Sequence, residues 1–111
     1  LLRGRYRART AAGPGDLAAA QDLRTLAFRG AGAARDADAF DAICTHVLVE
    51  EVRTGRLVCC FRLLPLTGGD DIGRSYSAQF YDLAALRAFK GPMVEMGRFC
   101  IHPEARDPDI L

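Results

Sequence analysis

Met93-Val94-Glu95-Met96-Gly97-Arg98-Phe99-Cys100-Ile101-His102 is an apolar, strand-forming run interrupted by one carboxylate, one glycine and one guanidinium. A run this hydrophobic predicts a central strand, with a neighbour on each side and cover on both faces. Glu95 and Arg98 stand three positions apart, which puts their side chains on opposite faces of a regular strand. Gly97 between them suits a bulge, which re-aims one side chain and frees backbone N–H groups. An irregularity is therefore predicted over Met96 to Arg98. The plainer reading of this pair is an internal ion pair that only orients the strand.

Working backwards, Leu57-Val58-Cys59-Cys60-Phe61-Arg62-Leu63-Leu64 repeats the theme, with Arg62 in the middle of a core-like strand. A guanidinium there costs several kcal/mol, on the order of what a buried ion loses in desolvation, unless it is paired. Either its face lines a solvent edge, or it sits in a cleft and grips a carboxylate or phosphate in fork geometry. Arg56 to Leu64 pairs with Thr45 to Val52 through a tight turn at Thr54-Gly55, and Pro65 ends the second strand because it has no N–H. Tyr6 to Thr10 is a further strand. Asp16 caps a helix from Leu17, with apolar Ala20, Leu23, Leu26 and Ala27 at helical spacing and Gly30 as its stop. Ala33 to Asp41 reads as a polar connector in which Asp38 and Asp41 serve solvation and capping. Thr67 to Gly73 is a loop, Ser75 to Phe80 an extended segment, and Asp82 caps a short helix over Leu83 to Phe89. Strand, helix, hairpin, short helix and strand make an α/β layered domain with a mixed sheet and flanking helices.

The 111 residues hold one domain; half are hydrophobic, 26% are charged and the net charge is +1. That balance excludes a disordered tail and gives no long-range pull toward nucleic acid. Arg3, Arg5, Arg7 and Arg9 read as a solvated face. No apolar run approaches the ~20 residues of a membrane span. Cys44, Cys59, Cys60 and Cys100 all lie in hydrophobic segments without a Cys-x-x-Cys pair for zinc, and read as reduced structural thiols of a cytoplasmic protein. Cys59 and Cys60 are neighbours in a strand and point to opposite faces. His46 reads as a satisfied structural group, and Cys100 with His102 lacks a third member for a thiol-nucleophile site.

Asp38-Ala39-Phe40-Asp41, His46-Val47-Leu48-Val49, Phe61-Arg62-Leu63-Leu64-Pro65 and Val94-Glu95-Met96-Gly97-Arg98-Phe99-Cys100-Ile101-His102-Pro103, in this order, resemble the ornithine N-acyltransferase (ornithine-lipid synthase, haemolysin-like) family. More distantly they resemble the acyl-homoserine-lactone synthases; both belong to the GNAT-like acyltransferases. The resemblance implies transfer of a 3-hydroxyacyl group from acyl carrier protein to the α-amine of L-ornithine, with no cofactor beyond the acyl donor. It implies Glu95 and Arg98 as catalytic residues, with Glu95 as base, and Asp38, Asp41 and Arg62 as substrate-binding residues. It also implies that residues 1–111 form the N-terminal part of the domain, impaired on its own. Apolar surface along Val94 to Ile101 is then expected to pair with a second copy or a partner, and an amphiphilic product leaves room for peripheral membrane contact. A lactone synthase using S-adenosylmethionine, or a non-catalytic oligomerisation or docking module, are the competing readings.

Overall fold

The structure, a computed structural model, describes residues 1–111. Five strands, β1 (Leu2–Arg3), β2 (Tyr6–Thr10), β3 (Thr45–Glu51), β4 (Leu57–Leu66) and β5 (Met93–Ile101), form one sheet in the order β1-β2-β3-β4-β5. One long helix, α1 (Pro14–Arg29), lies between β2 and β3. Every strand pair is antiparallel, so the sheet is not mixed. Chain geometry explains this. Sixteen helical residues carry the chain about 24 Å away from the end of β2. The polar connector brings it back to the same end, where Thr10 pairs with Val47.

The helix begins earlier than its apolar period suggests, with Pro14 in the first turn, where a missing N–H costs nothing. Asp16 is not its N-cap. Its carboxylate instead receives Arg9 Nη1 at 2.7 Å and Nη2 at 2.9 Å, and the Ala12 backbone N–H at 2.8 Å. The β3–β4 hairpin forms as expected, but its loop spans Val52 to Arg56 and is closed by Gly55 in the left-handed region at φ +72°. Pro65 does not end β4, which runs on to Leu66. Pairing with β3 stops at Leu63, so beyond it β4 has β5 on one flank only, and a residue without an N–H is tolerated.

The core is split between the two faces of the sheet. On one, Ala20 and Leu23 of α1 pack on Cys60 and Cys100; on the other, Tyr6, Val49 and Cys59 pack beneath Ile110. The adjacent cysteines thus face opposite ways, and all four cysteines are free thiols. Each fully buried Leu or Val contributes about 1.5–3 kcal/mol. No helix is long and apolar enough to cross a membrane.

Within residues 1–111 β4 is the single neighbour of β5, and Val94, Met96 and Phe99 are exposed, which is the apolar surface expected along Val94 to Ile101. Residues 67–92 also depart from expectation. The short helix over Leu83 to Phe89 is only a 3-10 turn at Ala84–Leu86, and the extended segment holds another at Ser77–Gln79. A third 3-10 turn, Gly69–Arg74, stands where a loop was predicted, and it brings backbone against backbone. The Gly69 N–H donates to Phe89 O at 3.0 Å, and a Cβ at Gly69 would lie 2.3 Å from Leu86 O. Leu64, Leu66 and Ile72 form the apolar patch beneath this segment, joined by Phe40, Leu83 and Met93.

Candidate functional site

The connector ends in a 3-10 turn, Ala39–Ala42, that sets the first part of the site. Asp38 caps it by accepting from Phe40 N at 3.0 Å, while Asp41 reaches back to accept from Asp38 N at 3.3 Å. This reciprocal pair aims both carboxylates at β4. There Arg62 donates to them as a fork: Nη1 to Asp38 Oδ1 at 2.6 Å and to Asp41 Oδ1 at 2.9 Å, and Nη2 to Asp38 Oδ2 at 3.0 Å. The Arg62 side chain is only 4% exposed. Of the two sequence readings of Arg62, the buried and paired one holds, but its partners belong to the protein.

Behind Asp41 lies Arg24, 1% exposed in the middle of α1. It donates to Asp41 at 2.7 and 3.1 Å, to Asp36 Oδ2 at 3.2 Å and to the Asp36 carbonyl at 2.8 Å. Gln21 adds a bond to Asp41 at 3.0 Å. Burial alone would raise the Asp41 carboxyl, but the donors from Arg24, Gln21 and Arg62 outweigh it and hold it well below the usual carboxylate range. Hydrogen bonds from Arg62 likewise lower Asp38, against the opposing effect of burial. Burial would discharge Arg62, yet Asp38 and Asp41 raise it above an ordinary arginine. His46 is buried, and its Nε2 donates to the Asp41 carbonyl at 2.9 Å. That is the satisfied structural role expected of it.

β5 supplies the second part. Arg62 pairs with Gly97 and Cys60 with Cys100, so two steps on β4 span three on β5. This is the predicted bulge, although the left-handed residue is Arg98, at φ +49°, and Gly97 keeps ordinary geometry. The turn at Arg98 brings its guanidinium back over the connector. Its Nη2 reaches Asp38 Oδ2 at 3.3 Å, its Nε lies 3.5 Å from Asp36 Oδ2, and its carbon sits 5.1 Å from the centre of the Tyr76 ring. Arg62 lies 5.5 Å from the same ring and 5.7 Å from Phe40. The Arg98 side chain is 26% exposed, and its buried Nε has no hydrogen-bond partner.

Glu95 does not pair with Arg98. Its two oxygens accept the backbone N–H groups of Tyr76 at 2.7 Å and Ser77 at 3.0 Å, tying β5 to the 67–92 segment. Arg62, Glu95 and Arg98 nevertheless line one small pocket, together with Phe40, Tyr76 and Gly97. An offset of three would separate Glu95 from Arg98 in a regular strand, and the bulge removes that separation.

The five residues singled out in the sequence therefore fall into two groups. Asp41 and Arg62 are both buried; Asp41 is enclosed by its donors, whereas Arg62 also forms part of the pocket wall. Asp38, Glu95 and Arg98 are partly exposed, the last two in the pocket lining. Arg24, Asp36 and Tyr76 were not anticipated. Arg24 carried a signal, since it lies one helical turn after Ala20 and one before Ala27, on the apolar stripe. Asp36 carried none beyond its place in a polar connector. Cys100 and His102 do not form a site: Cys100 is buried against Cys60, and His102 lies beside Arg56.

Residues 23–111 match the family described as acetyltransferase (GNAT) domain. The chain is 35% identical to an L-ornithine N(alpha)-acyltransferase of Rhodobacter capsulatus, over 91% of this chain and 45% of that relative. It is 34% identical to an L-ornithine N(alpha)-acyltransferase of Brucella abortus, over 65% of this chain and 28% of that relative. The chain thus spans less than half the length of these curated relatives. No solved structure matches it.

Proposed function

The chain belongs to the acetyltransferase (GNAT) domain family, and from that premise we propose that it is the N-terminal part of an N-acyltransferase that acylates the α-amine of L-ornithine. The observation that carries this reading is the likeness to two ornithine acyltransferases, one of them across 91% of the chain and so across the whole Asp38–Arg98 cluster. The proposed donor is a 3-hydroxyacyl thioester of acyl carrier protein, and the product is a precursor of ornithine lipids made in the cytoplasm.

The reaction is thioester aminolysis. The amine nitrogen attacks the carbonyl carbon, the C–S bond breaks, and the proton lost by nitrogen ends on the departing thiolate. An α-amine has a pKa of about 7.7–8.0 and is partly protonated at neutral pH, so a carboxylate at the pocket is needed to take its proton. Glu95 is that group in this proposal. Each of its oxygens accepts one backbone N–H and keeps a second lone pair, for the amine or for a bridging water. Backbone N–H groups at the bulge bind the developing oxyanion, each worth about 3 kcal/mol when well placed. Arg98 meets the amino-acid carboxylate, since its guanidinium is the less completely occupied of the two. Asp38 attracts the side-chain ammonium. Arg62 and Asp41 fix Asp38, and Arg62 also forms part of the pocket wall.

Expression of the reading frame that carries this chain tests the proposal. Lipid extracts should contain acyl-ornithine. The purified enzyme should release carrier-protein thiol in proportion to L-ornithine, and Arg98→Ala and Glu95→Ala should each lower kcat/KM by 100-fold or more. Turnover with S-adenosylmethionine but not ornithine would point to the lactone-synthase reading. No turnover with either would leave a docking module.

A further inference from the structure

Cys60 and Cys100 are direct register partners on β4 and β5, and their sulfurs are 3.5 Å apart. Residues directly opposite in an antiparallel pair have Cα atoms about 4.5–5.5 Å apart, inside the roughly 4.4–6.8 Å that a disulfide spans. We propose that Cys60 and Cys100 are a redox modification site: a small peroxide converts them to a reversible disulfide that pins β4 to β5 at the border of the bulge.

Four observations carry it. The sulfurs are already in contact, so closure needs a side-chain rotation and no strand movement. The competing cysteines are turned away: Cys59 packs with Tyr6 and Val49 on the opposite face, and Cys44 lies with Leu64 and Ile72. Both thiols are buried beneath Ala20 and Leu23 of α1, Cys60 1% and Cys100 5% exposed, so the pair is open only to an oxidant as small as a peroxide, entering through local opening. The pair is also polarised. Hydrogen bonding from Cys60 lowers the Cys100 thiol below an ordinary cysteine, the Arg24 guanidinium nearby adds to this, and Asp36 opposes it.

The steps balance. The Cys100 sulfur attacks one peroxide oxygen; an S–O bond forms, the O–O bond breaks, and hydroxide leaves and takes the thiol proton as water. The Cys60 sulfur then attacks the Cys100 sulfur; the S–S bond forms, the S–O bond breaks, and a second water leaves with the Cys60 proton. Two thiols are oxidised by two electrons, and one peroxide is reduced to two waters. A dithiol reverses the change. The position of the bond matters because the bulge begins between Cys60 and Arg62, so the link borders the strand segment that aims Arg98.

The test treats the folded chain with a few equivalents of hydrogen peroxide, then unfolds and alkylates it. Two of the four thiols should be lost, the mass should fall by two hydrogens, and a peptide crosslink should join Cys60 to Cys100. Dithiothreitol should restore all the thiols. Amide hydrogen exchange in β5 should slow at least tenfold in the oxidised form. A Cys44→Ser/Cys59→Ser double variant, which keeps the pair, should behave identically. Retention of every thiol, a sulfinic acid at Cys100 without a crosslink, or a crosslink to Cys44 or Cys59 would each overturn the proposal. Equal yield of the same link from chain unfolded beforehand would show that the fold does not select it. Unchanged exchange in β5 would overturn the pinning.

Discussion

Arg62 and Arg98 carry the same charged group on adjacent strands, and both look across at the same connector, but their settings differ. Arg62 stands in a regular, doubly flanked part of β4, where Asp38 and Asp41 occupy its fork and two aromatic rings cover it. Arg98 stands on a bulged strand with a left-handed backbone, a longer bond to Asp38 and a buried Nε without a hydrogen-bond partner. The difference lies in the backbone rather than in the side chain. A regular ladder allows an ion to be enclosed and neutralised, whereas a bulge leaves one incompletely matched beside a pocket. The first arrangement holds a fold; the second leaves bonding capacity for a ligand.

Removing the charges separates the two most sharply. Arg62→Ala leaves the Asp38 fork without its main partner and should cost about 3–5 kcal/mol in urea unfolding, the range for breaking a buried pair. Arg98→Ala should cost about 1 kcal/mol or less while abolishing turnover. Equal stability losses would erase the distinction. Acid should sharpen it next. Asp38 and Asp41 titrate lower in the folded chain than in the unfolded one, so their stabilisation is complete above the ordinary carboxylate value and is lost as pH falls through the folded values. Urea midpoints should hold steady from pH 7 to about 5 and drop below about 4. Asp41→Asn should be less stable throughout, with a shallower acid slope.

A smaller effect tests the bulge itself. At φ +49° a side chain strains the backbone, so Arg98→Gly should be more stable than Arg98→Ala by about 1 kcal/mol. If alanine is the better tolerated, the left-handed turn is not what distinguishes this position. Smallest of all, Glu95→Gln should speed amide exchange at Tyr76 and Ser77 and cost about 0.5–1.5 kcal/mol, because one of its two bonds is lost.

Much of this contrast was legible in the sequence, because charges set in apolar strands are costly unless they are matched. That reasoning singled out Arg62, Glu95 and Arg98 and put an irregularity beside Gly97, while the family resemblance joined the three in one site. Alternation likewise separated Cys59 from Cys60. Other features depended on three-dimensional partners that local pattern does not encode. Asp36 looks like any connector carboxylate until Arg24 is seen beneath it. Within residues 67–92, Ser75 to Phe80 reads as extended and Leu83 to Phe89 as a helix, whereas the chain makes 3-10 turns three to six residues long, held by contacts between distant backbone groups. A sequence likewise shows that Asp41 and Arg62 are charged, but not that they pair with each other across the connector and β4.

Gly69 shows how far such dependence reaches. It has no functional group and does not line the pocket, yet the main chain of Leu86 and Arg87 occupies the space its side chain would need. Random mutagenesis scored by growth or turnover should therefore mark Gly69 as intolerant as the pocket residues themselves. A map of tolerance around this cleft would record where two stretches of backbone press together as faithfully as where chemistry is done.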